Sequence, residues 1–305
     1  MSRIHEALKR AEQDRAAAQG VHAESGQTAE VSVVPAATAA VPSHSPATST
    51  AQLNQFTDET LMVRCVRRNW SPDVKTMLFY GSEQGPGREE FRTLRSRLCQ
   101  MREKQPLKTL LVTSSLPKEG KSFVAANLAQ AMVRQQGRRV LLIDADLRAA
   151  RLHLALGTGL TPGLSEYLQG EADEFGVMQR GAMESLFFVP AGRSTSNPAE
   201  LIANGRLKVL LTRVESLFDW IIIDSPPAVP VSDAGLIANH CDGVLMVVRS
   251  SATPSDLARK ARAEFDDKLL LGVVLNGMKR GRSEYSKYYG AYDRPVEKEA
   301  ASRRA

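Results

Sequence analysis

The sequence predicts an α/β fold: a doubly wound, mostly parallel sheet with helices on both faces. Two observations carry that expectation. Short, uninterrupted apolar runs recur near 109–113, 139–143, 186–190, 220–223, 244–248 and 271–275, with helix-patterned stretches between them. Continuous rather than alternating apolarity is what a strand covered on both faces requires, and strands alternating with helices build a parallel sheet. The second observation is where three of these runs end. The first leads into a Gly-Lys-Ser turn and two others into aspartates, at the carboxyl edge where such sheets bind ligands.

Taken in order, the chain opens with Ser2-Arg3-Ile4-His5-Glu6-Ala7-Leu8-Lys9-Arg10-Ala11-Glu12. Ile4, Ala7, Leu8 and Ala11 share one stripe and Ser2 can cap it, so residues 1–19 are expected as a short amphipathic docking helix. A helix of this length is marginal alone in water. Gly20 to Gln55 is rich in Ala, Ser, Thr, Val and Pro and has no Lys, Arg or Asp. The composition of a tether places a flexible linker over 20–79. The folded domain is expected over 80–280 and a flexible tail over 281–305. Within the domain, Arg88 to Leu98 reads as a helix with Phe91, Leu94, Leu98 and Met101 on its apolar stripe. Glu89, Arg92 and Arg95 fall on an adjoining polar stripe, which by itself is an ordinary solvated face.

The next run, Leu110-Leu111-Val112, feeds Thr113-Ser114-Ser115-Leu116-Pro117-Lys118-Glu119-Gly120-Lys121-Ser122, after which Phe123 to Ala129 patterns as a helix. A polyphosphate at such a junction meets backbone N–H groups, the positive end of a helix dipole and the Lys121 ammonium. Ser122 offers a hydroxyl where phosphate-bound Mg²⁺ takes an oxygen ligand. The usual pattern, G-x-x-x-x-G-K-[ST], has Gly where this chain has Ser115. Val140-Leu141-Leu142-Ile143 ends in Asp144-Ala145-Asp146, and Ile221-Ile222-Ile223 ends in Asp224-Ser225-Pro226-Pro227. One aspartate at a strand end commonly caps the next turn. Three behind a phosphate loop point to a nucleotide hydrolase or transferase, because phosphoryl transfer needs carboxylates to hold Mg²⁺ and to position the attacking group.

Four of the chain's six tyrosines, Tyr285, Tyr288, Tyr289 and Tyr292, crowd into eight residues near its end. Glycine, serine and charge surround them without core periodicity, the composition of a mobile segment. Basic residues interleaved with rings also occur in nucleic-acid-binding segments. From Lys279 to Ala305 the chain carries eight Lys/Arg and four Asp/Glu, so +4 of the net +6 lies here.

The loop Ser114 to Ser122, the block Leu141 to Arg148 and the run Ile221 to Pro227 together resemble the nucleotide motifs of the bacterial tyrosine kinases, the polysaccharide-biosynthesis tyrosine autokinases. The resemblance extends to Gly163-Leu164-Ser165-Glu166-Tyr167-Leu168-Gln169-Gly170, Asn197-Pro198-Ala199-Glu200-Leu201 and Val231-Ser232-Asp233-Ala234, and spans about Glu89 to Tyr292. It implies a sheet of the P-loop NTPase type with ATP and Mg²⁺ as cofactors. Ser115, Pro117, Lys118, Glu119, Gly120, Lys121, Ser122 and Phe123 are then expected around the nucleotide, with Asn276 resembling an adenine contact. Lys121, Asp144, Asp146 and Asp224 are expected as the catalytic set. Lys121 contacts the β/γ-phosphates, Ser122, Asp146 and Asp224 hold the metal, and Asp144 orients or deprotonates a tyrosine hydroxyl. Ala150 departs from the family, which usually has Pro there.

The same resemblance implies that Glu89, Arg92 and Arg95 join subunits into a ring, and that one subunit phosphorylates the tail tyrosines of the next. The opening Ser-Arg-Ile-x-Glu-Ala-Leu looks like that of stand-alone kinases of exosortase-linked exopolysaccharide loci. A separate membrane-spanning polysaccharide co-polymerase or chain-length regulator is then expected as activator, with a cognate tyrosine phosphatase. Nucleic acid is not an expected partner. Three widely spaced cysteines, Cys65, Cys99 and Cys241, suit a reducing compartment. With no long apolar run, the expected location is cytoplasmic, recruited to the inner face of the membrane through a partner. The rival class is a partition- or positioning-type P-loop ATPase. Those proteins carry a second Lys early in the loop, where this chain has Leu116. A third reading is a nucleotide-sensing scaffold that transfers nothing.

Overall fold

A computed structural model describes residues 57–80, 87–181, 183–267 and 269–278. The expected helix at 1–19 and the tail tyrosines Tyr285, Tyr288, Tyr289 and Tyr292 lie outside the described residues. The strands are β1 (Val66–Arg67), β2 (Thr109–Ser114), β3 (Val140–Asp144), β4 (Gln179–Arg180), β5 (Leu186–Val189), β6 (Trp220–Asp224), β7 (Gly243–Arg249) and β8 (Leu270–Asn276). The helices are α1 (Asp58–Arg64), α2 (Arg88–Arg102), α3 (Lys121–Val133), α4 (Leu152–Leu156), α5 (Leu164–Gln169), α6 (Glu174–Val177), α7 (Pro198–Ala203), α8 (Arg206–Val214), α9 (Asp233–Ala238) and α10 (Ser255–Ala263). One sheet holds all eight strands in the order β1-β4-β5-β3-β6-β2-β7-β8. Every neighbouring pair is parallel except β4 with β5.

All six apolar runs form strands, and every residue of β2, β3, β5 and β6 is buried. Alternate side chains feed two cores. Leu111, Ile143, Phe187 and Ile223 pack under α5, α7, α8 and α9, while Leu110, Val112, Leu142 and Ile222 pack under α2 and α3. Helix α3 is buried continuously from Val124 to Met132 because α2 covers its outer side. Its sequence is apolar almost all round, as such a position demands. Phe91 of α2 meets Phe123 of α3 edge to face, with ring centroids 5.8 Å apart.

The linker expected over 20–79 extends too far, because residues 57–80 belong to the folded body; the tether-like composition itself stops at Gln55. Thr57 caps α1, β1 pairs with β4, and Leu61, Trp70, Met77 and Phe79 are buried. The stretch leading to Tyr80 has no periodicity, and a buried side chain of α3 secures it instead. Asn127 Oδ1 accepts from Leu78 N at 2.8 Å and Asn127 Nδ2 donates to Thr76 O at 2.8 Å. Among the described residues, no helix is long and apolar enough to cross a membrane.

Candidate active site

Strand β2 lies between β6 and β7, and the chain leaves it in one direction towards β3 and returns on the other side at β7. A reversal of strand order of this kind opens a crevice at the carboxyl ends of the strands. The segment Ser115 to Gly120 fills that position. Gly120 (φ +99°) starts α3, whose first turn carries no acidic residue to compete with an anion. Ser115 is buried and its Oγ has no hydrogen-bond partner. Pro117 and Lys118 are exposed at the tip, with Lys118 in the left-handed region at φ +68°.

Glu119 braces the loop from inside. It is buried, its Oε2 accepts from Leu116 N at 2.8 Å, and its Oε1 accepts from the Thr253 hydroxyl. Arg249 donates to Lys118 O at 3.0 Å and Asn276 Nδ2 to Glu119 O at 2.8 Å. Thr253 and Arg249 belong to the β7 end of the sheet, and sequence reasoning did not single them out. Their side chains have no local motif, and only the strand order brings them to the loop.

Strand register assembles the acids. Asp144 and Asp224 are directly paired residues of β3 and β6, and Val112 of β2 flanks Asp224 on its other side. Asp146 follows two residues on and receives the Lys121 ammonium, Nζ to Oδ2 2.8 Å. Asp144 takes backbone N–H groups from Asp146 at 3.2 Å and Leu152 at 3.1 Å. Asp224 is fully buried, and neither of its oxygens accepts a hydrogen bond of ordinary geometry, although the Ser122 hydroxyl lies close enough to favour its ionised form.

The charge states follow from this crowding. Burial, then the Asp224 charge, push the Asp144 carboxyl up to about 8, against the pull of the Leu152 N–H. Burial likewise pushes Asp224 up to about 6, moderated by the Lys121 ammonium. For Lys121, burial works against the charge, but Asp224, Asp146 and Asp144 outweigh it and hold the ammonium above its usual range. Three carboxyl groups, of which Asp144 is mostly protonated at neutral pH, therefore face one ammonium. A polyphosphate brought against this set needs further positive charge beside it. A buried carboxylate with two bare oxygens next to the Ser122 hydroxyl has the donor chemistry for a hard divalent cation. No cluster of three or more His, Cys, Asp or Glu forms a metal site among the described residues. That is compatible with Mg²⁺, which is commonly held by one or two carboxylates together with substrate phosphates and water.

Other expected site residues are placed as follows. Phe123 has its ring against Phe91, edge to face. Glu89 and Arg92 form an ion pair with each other on the exposed side of α2, and Arg95 Nη1 donates to Ala131 O of α3 at 2.9 Å. Asn276 ends β8 at the loop, 2.8 Å from Glu119 O. Sequence reasoning also gave no site role to Arg148 and Asp233. They form a bidentate pair at 2.7 and 2.9 Å, with Asp233 fully buried, and tie the segment after Asp146 to the start of α9.

Residues 111–289 match the CobQ/CobB/MinD/ParA nucleotide binding domain. The tyrosine-protein kinase YwqD of Bacillus subtilis is 36% identical over 213 residues, covering 69% of this chain and 89% of that protein. The tyrosine-protein kinase wzc of Salmonella typhimurium is 33% identical over 207 residues, which are 67% of this chain but only 28% of that one. Among solved structures, the kinase domain of the Escherichia coli tyrosine kinase ETK superposes with a TM-score of 0.59 at 31% identity, covering 65% of this chain and 79% of that one. The chimerical protein CapA2B2 superposes at 0.64 with 27% identity, covering 73% of this chain and all of its own.

Proposed function

The chain belongs to the bacterial tyrosine-protein kinases, and on that premise we propose that it is an ATP-dependent autokinase of its own C-terminal tyrosines. The observation that carries the reading is Asp224: a fully buried carboxylate with two unpartnered oxygens, set between the Lys121 ammonium and the protonatable Asp144 at the mouth of a phosphate loop. Folding keeps such a group, at a cost in stability, where a ligand uses it.

In this reading Lys121 and the N–H groups of Gly120 to Phe123 take the β/γ-phosphates. Asp146, Asp224 and Ser122 would hold Mg²⁺, which would supply charge to balance the phosphate oxygens. Ser115, Pro117, Lys118 and Glu119 shape the loop around the phosphates. A tail tyrosine, Tyr285, Tyr288, Tyr289 or Tyr292, presents its oxygen to the γ-phosphorus. The new O–P bond forms as the bond to the β–γ bridging oxygen breaks, ADP departs, and the phenolic proton passes to Asp144. Only the ionised form of Asp144 can accept that proton. With its carboxyl held at about 8, that form is a minority at neutral pH and grows as the pH rises.

The remaining parts of the proposal concern assembly. Glu89, Arg92 and Arg95 of α2 join subunits into a ring, so that one subunit's tail enters its neighbour's site. A membrane-spanning polysaccharide co-polymerase or chain-length regulator recruits the cytoplasmic protein to the inner face of the membrane and activates it. A tyrosine phosphatase resets the tail, and the phosphorylation state tunes exopolysaccharide or capsule assembly and export. Relatives named for tyrosine kinase activity support the chemistry. The exopolysaccharide setting rests on the resemblance of the motifs.

Phosphosite mass spectrometry on protein purified from its own host, beside a Lys121→Met variant, tests the reading. Phosphate on the four tail tyrosines in the wild type and none in the variant is the expected result. Unmodified tyrosines in both would overturn it. ATP turnover in that protein would then point to a positioning ATPase.

A further inference from the structure

The last residue of β8 sits against the phosphate loop in a way that its expected role as a base contact does not explain. Asn276 Nδ2 donates to Glu119 O at 2.8 Å, and its Oδ1 accepts from Gly277 N at 2.8 Å. The packing is close: a Cβ built on Gly120 would lie 2.0 Å from Asn276 Nδ2. At φ +99° Gly120 is also the position where the loop turns into α3. The Asn276 amide therefore occupies the space that glycine leaves open, at the peptide whose geometry aims the first N–H groups of the helix. The strand end beneath it is itself held, since Ser250 N donates to Asn276 O at 2.8 Å. Two further groups grip the same stretch of loop, Arg249 on Lys118 O and the Thr253 hydroxyl on the Glu119 carboxylate.

We infer that Asn276 is a positioning residue for the phosphate loop rather than a reader of the base: its amide latches the Glu119 carbonyl against Gly120 and so fixes the loop's backbone donors for a polyphosphate. This rests on the reading of the loop as a nucleotide site and deepens it. The recognised chemistry is the triphosphate alone. A residue that acts only through the loop backbone acts equally on every ligand that carries that triphosphate, whatever base is attached. A residue that reads adenine acts on ATP and not on its analogues.

The test compares binding of ATP, GTP and inorganic tripolyphosphate, each with Mg²⁺, to full-length wild type and Asn276→Ala by calorimetry. Loss of one hydrogen bond to a partly buried carbonyl is expected to weaken all three ligands by the same factor, about 5- to 30-fold, with the ligand-free melting temperature nearly unchanged. A loss confined to ATP would assign Asn276 to the base and overturn the inference. So would unchanged binding of all three. Wild-type protein that binds none of the three would overturn the nucleotide reading itself, and the inference with it. A second pair of variants reports on the contact directly. Gly120→Ala alone drives its methyl into Asn276, so its effect on tripolyphosphate binding is expected to shrink at least about 5-fold in the Asn276→Ala background, as coupled neighbours require. Strictly additive effects would show that the two residues do not meet and would refute the latch.

Discussion

Replacing Asp224 with Asn should abolish phosphorylation and at the same time stabilise the nucleotide-free protein. The reasoning starts from burial. Asp224 is fully buried with neither oxygen hydrogen-bonded, and its carboxyl is raised from 3.8 to about 6 by desolvation. Its raised value means that the folded state favours the protonated form. The group's penalty is therefore absent below the unfolded value, grows as the pH rises between about 4 and 6, and is full above that. Holding the ionised carboxylate in this site costs about 3 kcal/mol at pH 8, and roughly half of that at pH 5. An asparagine at the same place keeps the shape and removes the charge, but leaves a buried amide that costs about 1 kcal/mol itself. The net gain at pH 8 is then about 2 kcal/mol, which for a domain of this size raises the melting temperature by about 4–8 °C. The assay is thermal unfolding of wild type and Asp224→Asn in EDTA without nucleotide, at pH 8 and pH 5. The variant should lead clearly at pH 8 and much less at pH 5. A variant no more stable than wild type at pH 8, or one whose advantage is the same at both pH values, would refute the claim that the site stores unfavourable charge.

Other outcomes follow from neighbouring groups. Arg148→Ala leaves the fully buried Asp233 without its bidentate partner; because the arginine side chain is itself 39% exposed, the expected loss is about 2–3 kcal/mol, read by denaturant unfolding, and Asp233→Asn should recover part of it in that background. Of the three thiols, only Cys99 is half-buried. Burial pushes the Cys65 thiol up to about 12 and that of Cys241 higher still, so a thiol-reactive dye should label one cysteine quickly in native protein, and two fast thiols would contradict this packing. The tail from Lys279 carries +4, which two or three phosphotyrosines would neutralise. If the unmodified tail holds neighbouring subunits together, light scattering should give a smaller particle for phosphorylated protein, and equal masses would count against that contact.

What the sequence made legible follows the range of the forces involved. Strands β2, β3, β5, β6, β7 and β8 each have enough consecutive apolar residues to be read locally. Burial on both faces leaves no room for polar alternation in β2, β3, β5 and β6, whereas β8 at the sheet edge keeps its apolar run with Val273 and Leu275 exposed. Strands β1 and β4 are two residues long and carry no such signal. The stretch 66–80 was unreadable for a related reason. Its anchors Trp70, Met77 and Phe79 are single apolar residues in irregular backbone, and the group that secures it, Asn127, lies about fifty positions along the chain in α3.

The candidate site divides in the same way. Lys121 was visible in the Gly-Lys-Ser turn, and Asp144, Asp146 and Asp224 at the ends of apolar runs, but their electrostatics were not. Asp144 is perturbed chiefly by burial and then by Asp224, and the two meet only because β6 is inserted beside β3 ahead of β2 in the sheet. Had β3 lain next to β2 instead, the same motifs would have placed the two carboxylates a strand apart, and the mutual repulsion that lifts Asp144 would have been weaker. Strand order thus sets how strongly these acids perturb one another. The same dependence governs the loop's braces: Arg249, Thr253 and Asn276 reach it from 131 to 157 positions away, and only a sheet that puts β7 beside β2 and β8 beside β7 brings them within hydrogen-bond distance. The phosphate loop is therefore a local motif in sequence whose rigidity is a property of the whole carboxyl edge, so substitutions at the far end of the sheet should register at the nucleotide.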